Sequence, residues 1–267
     1  MSAALHIVQA ILSIFLMGLV LLQSKGAGLG SIFGGNESVF TTRRGGFSEG
    51  PYESLNLGRL TADRAECVIR NRKTLQAQVG APLAYIRQVH GTGVRRVVAS
   101  PEQPSEDADV QSAFPEADGQ ATTLRGLAPM VLAADCLPIA IGGSGAVAVL
   151  HCGWPGLAGE ILAEGVRAVR EIGDDGPLMA AIGPGAGPCC YEVGEELRVV
   201  FADYGPGVRV GRNLDLKVIA REQLHRAGVS EVHDVGICTI CAEPSLFFSH
   251  RRDKGITGRQ AALAWLS

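Results

Sequence analysis

The chain changes its hydrophobic pattern near residue 40. Residues 1–24 carry no charged side chain, and 10–22 are almost wholly apolar on every side. As a helix, the run 3–23 would be about 31 Å long, matching a bilayer core of roughly 30 Å. This predicts one transmembrane helix over 1–24. The stretch 26–35 is rich in glycine, and each glycine costs about 1 kcal/mol relative to alanine inside a helix, so 25–39 reads as a tether. From residue 40 onward, short apolar runs alternate with turn residues. Runs at 83–89, 129–134 and 145–150 predict strands. In 62–79, Ala65, Val68, Ile69, Leu75 and Val79 approach helical spacing and stop at Gly80, a favourable C-terminal cap. Leu157, Ile161, Leu162, Val166 and Val169 form one stripe of a helix that follows the turn 153–156. Two further amphipathic helices are predicted over 191–204 and 214–227, the second ended by Gly228. The pattern gives an α+β domain over 40–267 behind one N-terminal span.

With 267 residues, 46% of them hydrophobic, the chain can bury a full core, which excludes general disorder. A cleaved signal peptide fits the first segment less well than a span, because no basic n-region and no small-x-small site precede Lys25. The flanking positive charges, Lys25, Arg43 and Arg44, all follow the span, which places the domain in the cytoplasm, tethered to the inner membrane. Seven cysteines, an odd number, read as reduced thiols rather than a disulfide framework. A net charge of −3 argues against a broad basic face for nucleic acid.

Three predicted strands lead into reactive side chains: His90, Asp135-Cys136 and His151. Imidazole and thiolate are preferred Zn²⁺ donors, and three of them with an open fourth position would make a catalytic site. Spacing alone leaves open the alternative of two core histidines and a buried thiol. Asn56 either faces a cleft or caps a turn, and Arg251 and Arg252 are either anion partners or a solvated pair. Cys238-Thr-Ile-Cys241 is a single C-x-x-C and reads as structural thiols. The glycine-rich 183–190 stretch lacks both the Rossmann spacing and the Walker lysine and reads as a backbone turn. His225 and His233 read as structural or exposed.

Two resemblances sharpen this. Gln23-Ser-Lys-Gly-Ala-Gly-Leu-Gly-Ser-Ile-Phe-Gly-Gly35 after one apolar span resembles the first half of SecG, a subunit of the bacterial protein-export channel, over about residues 1–44. No second span follows, so contact with the export channel is expected only if the fusion is real. Arg87-Gln-Val-His-Gly91, Ala134-Asp-Cys-Leu-Pro-Ile139, His151-Cys-Gly-Trp154, Ile182-Gly-Pro184, Pro188-Cys-Cys-Tyr-Glu-Val193, Phe248-Ser-His-Arg-Arg-Asp253 and Thr257-Gly-Arg259 together resemble the YfiH-type purine nucleoside phosphorylase family, formerly called laccase-domain or polyphenol oxidase proteins.

That resemblance implies a four-layer α/β/β/α fold around a mixed β-sandwich, and a single Zn²⁺, with copper as the alternative, on His90, Cys136 and His151. It implies phosphorolysis of adenosine, inosine, guanosine and methylthioadenosine, and deamination of adenosine. Asn56, Arg251 and Arg252 are the expected substrate and phosphate contacts. The N-terminus of the helix after His151 is a further expected anion site. Pro155 stands where the family motif has arginine, which removes one bidentate anion partner. Two alternatives accompany this expectation. One is a Cys136 nucleophile with His151 or His90 as base, or peptidoglycan-precursor editing on the same fold. The other is an export subunit with an incidental C-terminal domain. The two resemblances meet inside 39–46, which points to a join of two coding segments, by fusion or by faulty assembly.

Overall fold

The computed structural model describes residues 36–100, 113–173 and 175–266. The expected span over 1–24 and the tether as far as residue 35 lie outside the described residues. Among the described residues, no helix is long and apolar enough to cross a membrane.

The first described element is β1 (Asn36–Phe40), followed by α1 (Ala65–Val79), β2 (Leu83–Ala84), β3 (Val94–Val97) and β4 (Gly119–Thr122). Next come β5 (Ala128–Ala133), β6 (Leu137–Gly142), β7 (Val147–Cys152), α2 (Trp154–Ala158), α3 (Ile161–Ile172) and β8 (Leu178–Ile182). The chain then forms α4 (Glu195–Val200), β9 (Arg209–Val210), β10 (Asn213–Leu214), α5 (Leu216–Arg226), β11 (Val229–Asp234) and β12 (Gln260–Leu266). Two sheets dominate, with strand orders β1-β12-β5-β2 and β11-β8-β6-β7-β4-β3. Both are mixed: β2 runs parallel to β5, and β3 to β4, among antiparallel neighbours.

The two-residue alternation of strands assigns the layers. Along β12, Ala262, Ala264 and Leu266 join Ala140, Val149 and Ala181 in the core between the sheets. The intervening Ala261, Leu263 and Trp265 face outward to Leu75 of α1. The larger sheet repeats the device: Ile139, Ile141, Ala148 and Leu150 pack outward with Ile161, Leu162, Val166 and Val169 of α3 and with Ile219 and Leu224 of α5. Between the sheets, Ala140, Ala181, Ala262 and Ala264 interleave with Phe40, Val131, Val149 and Leu266. The result is the helix–sheet–sheet–helix sandwich.

Several boundaries differ from expectation. Residues 36–39, expected as tether, are strand: β1 pairs antiparallel with β12 from Asn36↔Leu266 to Phe40↔Ala262. The strand expected over 83–89 pairs only at Leu83–Ala84, and Arg87 then makes an isolated bridge to Glu116. The helix expected over 191–204 is regular only from Glu195 to Val200, with a 3-10 turn over Ala202–Tyr204. The stripe from Leu157 to Val169 is split: α2 ends after five residues, and Glu160, at φ 63°, starts α3 in a new direction. Gly80 ends α1 as expected, at φ 72° with its N–H donated to Gln76 O at 2.9 Å.

Candidate metal centre

His90, Cys136 and His151 come from three different segments, and one donor atom of each lies within 4.8 Å of the others. His151 is carried by β7 and is buried. Cys136 sits in the tight connection between β5 and β6, and His90 in the turn before β3. This juxtaposition favours a shared site over two core histidines and a buried thiol. Cys136 Sγ stands 3.9 Å from His90 Nε2, too long for a strong hydrogen bond. That separation approaches the roughly 3.6 Å between a sulfur and a nitrogen that share one tetrahedral Zn²⁺.

Asp118, which the sequence analysis does not single out, organises two of the three donors. Its carboxylate is fully buried and accepts the backbone N–H groups of Val89, His90 and Gly91 at 3.2, 2.9 and 2.6 Å. The same carboxylate lies 2.9 Å from His151 Nδ1, which fixes that nitrogen as the donor and leaves Nε2 to face Cys136. One buried carboxylate thus sets the orientation of His151 and the path of the turn that carries His90 at φ 60°. In the sequence it is one of two neighbouring acids, Glu116 and Asp118, just before the uncharged stretch 119–124, and nothing there marks it out.

The approach of Cys136 is equally constrained. Asp135 adopts φ 87°, a region a non-glycine residue occupies only when its surroundings hold it there. Its carboxylate accepts from Thr239 Oγ1 at 2.6 Å, Ser249 Oγ at 3.0 Å and the Arg251 N–H at 2.7 Å. A Cβ at Gly153 would lie 3.1 Å from both Cys136 Sγ and His90 Cδ2, so any larger residue there would press on two of the donors.

Burial opposes ionisation of the Cys136 thiol, but the charge and hydrogen bonding of His151, and then His90, outweigh it and bring its pKa down to about 6. Burial likewise opposes charge on His151, whereas the Cys136 thiolate and the Asp118 hydrogen bond raise its pKa to about 9. For Asp118, burial is opposed by the hydrogen bonds from His151 and Gly91, which hold the carboxyl below the usual carboxylate range. The neighbouring imidazoles thus favour the thiolate of Cys136, the form that ligates a metal.

The three donors open onto a cleft of about 450 Å³. Arg59, Arg72, Arg251 and Arg259 line it, and Asp135 is its one acidic lining residue among those described. Arg72 is half-buried, and desolvation lowers its pKa to about 10; its ring neighbour is Tyr85, 4.5 Å from the guanidinium. Arg251 donates to Glu192 O at 2.8 Å and lies over Tyr191. Of the expected anion partners, only Arg251 reaches the cleft. Arg252 is committed elsewhere, donating to Thr239 O, Phe247 O and both oxygens of Asp253 at 2.8–3.0 Å. Asn56 is fully buried and organises a turn: it donates to Thr61 and Asp63, and its Oδ1 accepts the N–H groups of Gly58 and Arg259, each at 2.9 Å. It thereby positions the backbone of a cleft arginine without lining the cleft. The helix N-terminus expected to hold an anion belongs to the five-residue α2, too short to build a substantial dipole.

The family model described as "Multi-copper polyphenol oxidoreductase laccase" matches residues 37–267, and the model "Preprotein translocase SecG subunit" matches residues 2–48. A purine nucleoside phosphorylase of Xylella fastidiosa is 38% identical over 248 residues, covering 86% of this chain and 92% of its own. The purine nucleoside phosphorylase YfiH of Escherichia coli is 34% identical, covering 85% and 92%. The crystal structure of YlmD from Geobacillus stearothermophilus superimposes with a TM-score of 0.78 at 32% identity, covering 92% of this chain and 98% of that one. From residue 37 onward the chain belongs to the polyphenol oxidoreductase laccase family, whose relatives here are named purine nucleoside phosphorylases.

Proposed function

We propose that the chain is a zinc enzyme that cleaves purine nucleosides with inorganic phosphate, releasing the base and ribose 1-phosphate, and that it also deaminates adenosine. The observation that carries this reading is a His-Cys-His donor set opening onto a cleft rich in arginine. Two imidazoles and one thiolate suit Zn²⁺. Zn²⁺ held by His90, Cys136 and His151 would supply Lewis-acid chemistry at the cleft floor. The other roles fall to the chain. Arg59, Arg72, Arg251 and Arg259 bind and orient phosphate, replacing the guanidinium that Pro155 removes, and their fixed positive charge favours the anion throughout the reaction. The indole of Trp154 and the ring of Tyr191 offer apolar faces for the purine. Asp118 keeps His151 in one tautomer.

The test is phosphate-dependent release of base from adenosine, inosine, guanosine and methylthioadenosine, with zinc measured on the same sample. Release that rises with zinc content and saturates with phosphate is expected. Release by the zinc-loaded chain that is indifferent to phosphate would overturn the phosphorylase reading.

The Asp118–His151–Cys136 chain of contacts favours one second reading, a thiolate nucleophile with histidine as base. In that case a strong chelator leaves turnover intact, and alkylation of Cys136 in the stripped protein abolishes it. Under the zinc reading, chelation alone abolishes turnover.

The SecG-like leader supports a membrane tether for this domain. Neither cleft chemistry depends on it.

A further inference from the structure

Away from the cleft, Cys238 and Cys241, read from spacing as structural thiols, converge with Cys189 and Cys190. Cys189 and Cys190 lie on the turn after β8, and Cys238 and Cys241 on the loop after β11. Their four Sγ atoms lie within 4.8 Å of one another, and Cys189 and Cys241 approach to 3.5 Å. All four are free thiols. Four sulfurs about 2.3 Å from one tetrahedral Zn²⁺ would be about 3.8 Å apart, so little movement is needed to receive an ion.

The backbone around them is arranged as thiolate ligands require. Gly187 N–H donates to Cys238 Sγ at 3.3 Å. The backbone N–H groups of Cys241 and Ile240 are also directed at Cys238 Sγ. Donation to the first cysteine of a C-x-x-C turn from the residues that follow it stabilises a ligating sulfur. Four sulfurs packed this closely ionise together only around a cation.

We infer that Cys189, Cys190, Cys238 and Cys241 form a second, structural metal site for Zn²⁺, closed by four protein ligands. On binding, each thiol gives its proton to solvent and its sulfur to the ion; no oxidant or reductant takes part. The site joins two turns that backbone bonds already bring together, with Gly185 N–H donating to Ile237 O at 3.2 Å and Thr239 N–H to Gly185 O at 3.1 Å. Thr239 in turn holds the Asp135 carboxylate, and Tyr191, next to Cys190, lines the cleft. The second ion would therefore brace the wall that carries Asp135 and Tyr191.

The experiment removes the first centre. A full-length His90→Ala/Cys136→Ser/His151→Ala variant, prepared under reductant and supplied with zinc, is analysed for metal and for alkylation of each cysteine in the folded state. Retention of one zinc per chain is expected, with Cys189, Cys190, Cys238 and Cys241 protected until a chelator is added. Adding Cys238→Ser and Cys241→Ser removes that zinc. A folded first-centre variant without zinc would overturn the inference, as would disulfides among the four cysteines in reduced preparations. Should the five-fold variant fail to fold, rapid alkylation of the four thiols in the zinc-supplied wild type overturns it equally. Because the cleft donors are absent, the outcome is independent of the proposed activity.

Discussion

Asp118 is the residue on which the centre turns, because it fixes both a backbone turn and an imidazole. Replacing it by asparagine keeps one oxygen acceptor but removes the charge and part of the fan of bonds to residues 89–91. An outer partner of this kind contributes about 10–100-fold in metal affinity or activity. Asp118→Asn is expected to weaken zinc binding, measured by competition with a chromophoric chelator, by about that factor. Unchanged affinity would show that His151 needs no such partner. Asn56 has the opposite character: a polar residue in an apolar run, it proves to be the core of a turn rather than a substrate contact. Sequence alone could not separate the two, since a buried asparagine with four hydrogen bonds and one facing a cleft leave the same trace in a Leu-Asn-Leu run.

At the level of elements, the donors are positioned by the larger sheet and by α3 packed on it. Leu162 is fully buried among β-strand side chains. Leu162→Ala removes buried methyl groups and leaves a cavity, which costs about 2–5 kcal/mol; urea unfolding should show that loss through a lower midpoint with little change in slope. A loss well under about 1 kcal/mol would mean that the helix does not carry the sheet. The long helices and the buried strands were legible because their period reflects which face is buried. The 83–89 stretch was not, because its side chains pack into the cores while its backbone pairs only at Leu83–Ala84 before the turn held by Asp118. The break between α2 and α3 was hidden because the apolar stripe runs through it unaltered, and only the φ of Glu160 records the change in direction.

For the whole molecule, the question is where the domain begins. β1 starts at Asn36, pairs with β12 along its length, and places Phe40 in the core between the sheets. A chain starting at Asn36 is expected to keep the melting temperature of the full chain in detergent. One starting at Thr41 leaves β12 with an exposed edge and should melt several degrees lower, by about 4–8 °C for each kcal/mol in a small domain and less in one of this size. Equal melting temperatures for the two truncations would detach β1 from the domain. The His-Cys-His set was legible as three strand-associated donors, but their convergence belongs to topology. The four-cysteine cluster was not legible, because its halves lie 52 residues apart from Cys189 to Cys241 and meet only through the pairing of β8 with β11.

The central claim is that one ion is shared by the donors at the cleft floor. Anomalous diffraction at the zinc absorption edge tests it most directly, on crystals of the protein prepared with zinc. The predicted result is a peak about 2.0–2.3 Å from His90 Nε2, Cys136 Sγ and His151 Nε2 together. A crystal with zinc in solution and no anomalous density among those three atoms would contradict the account.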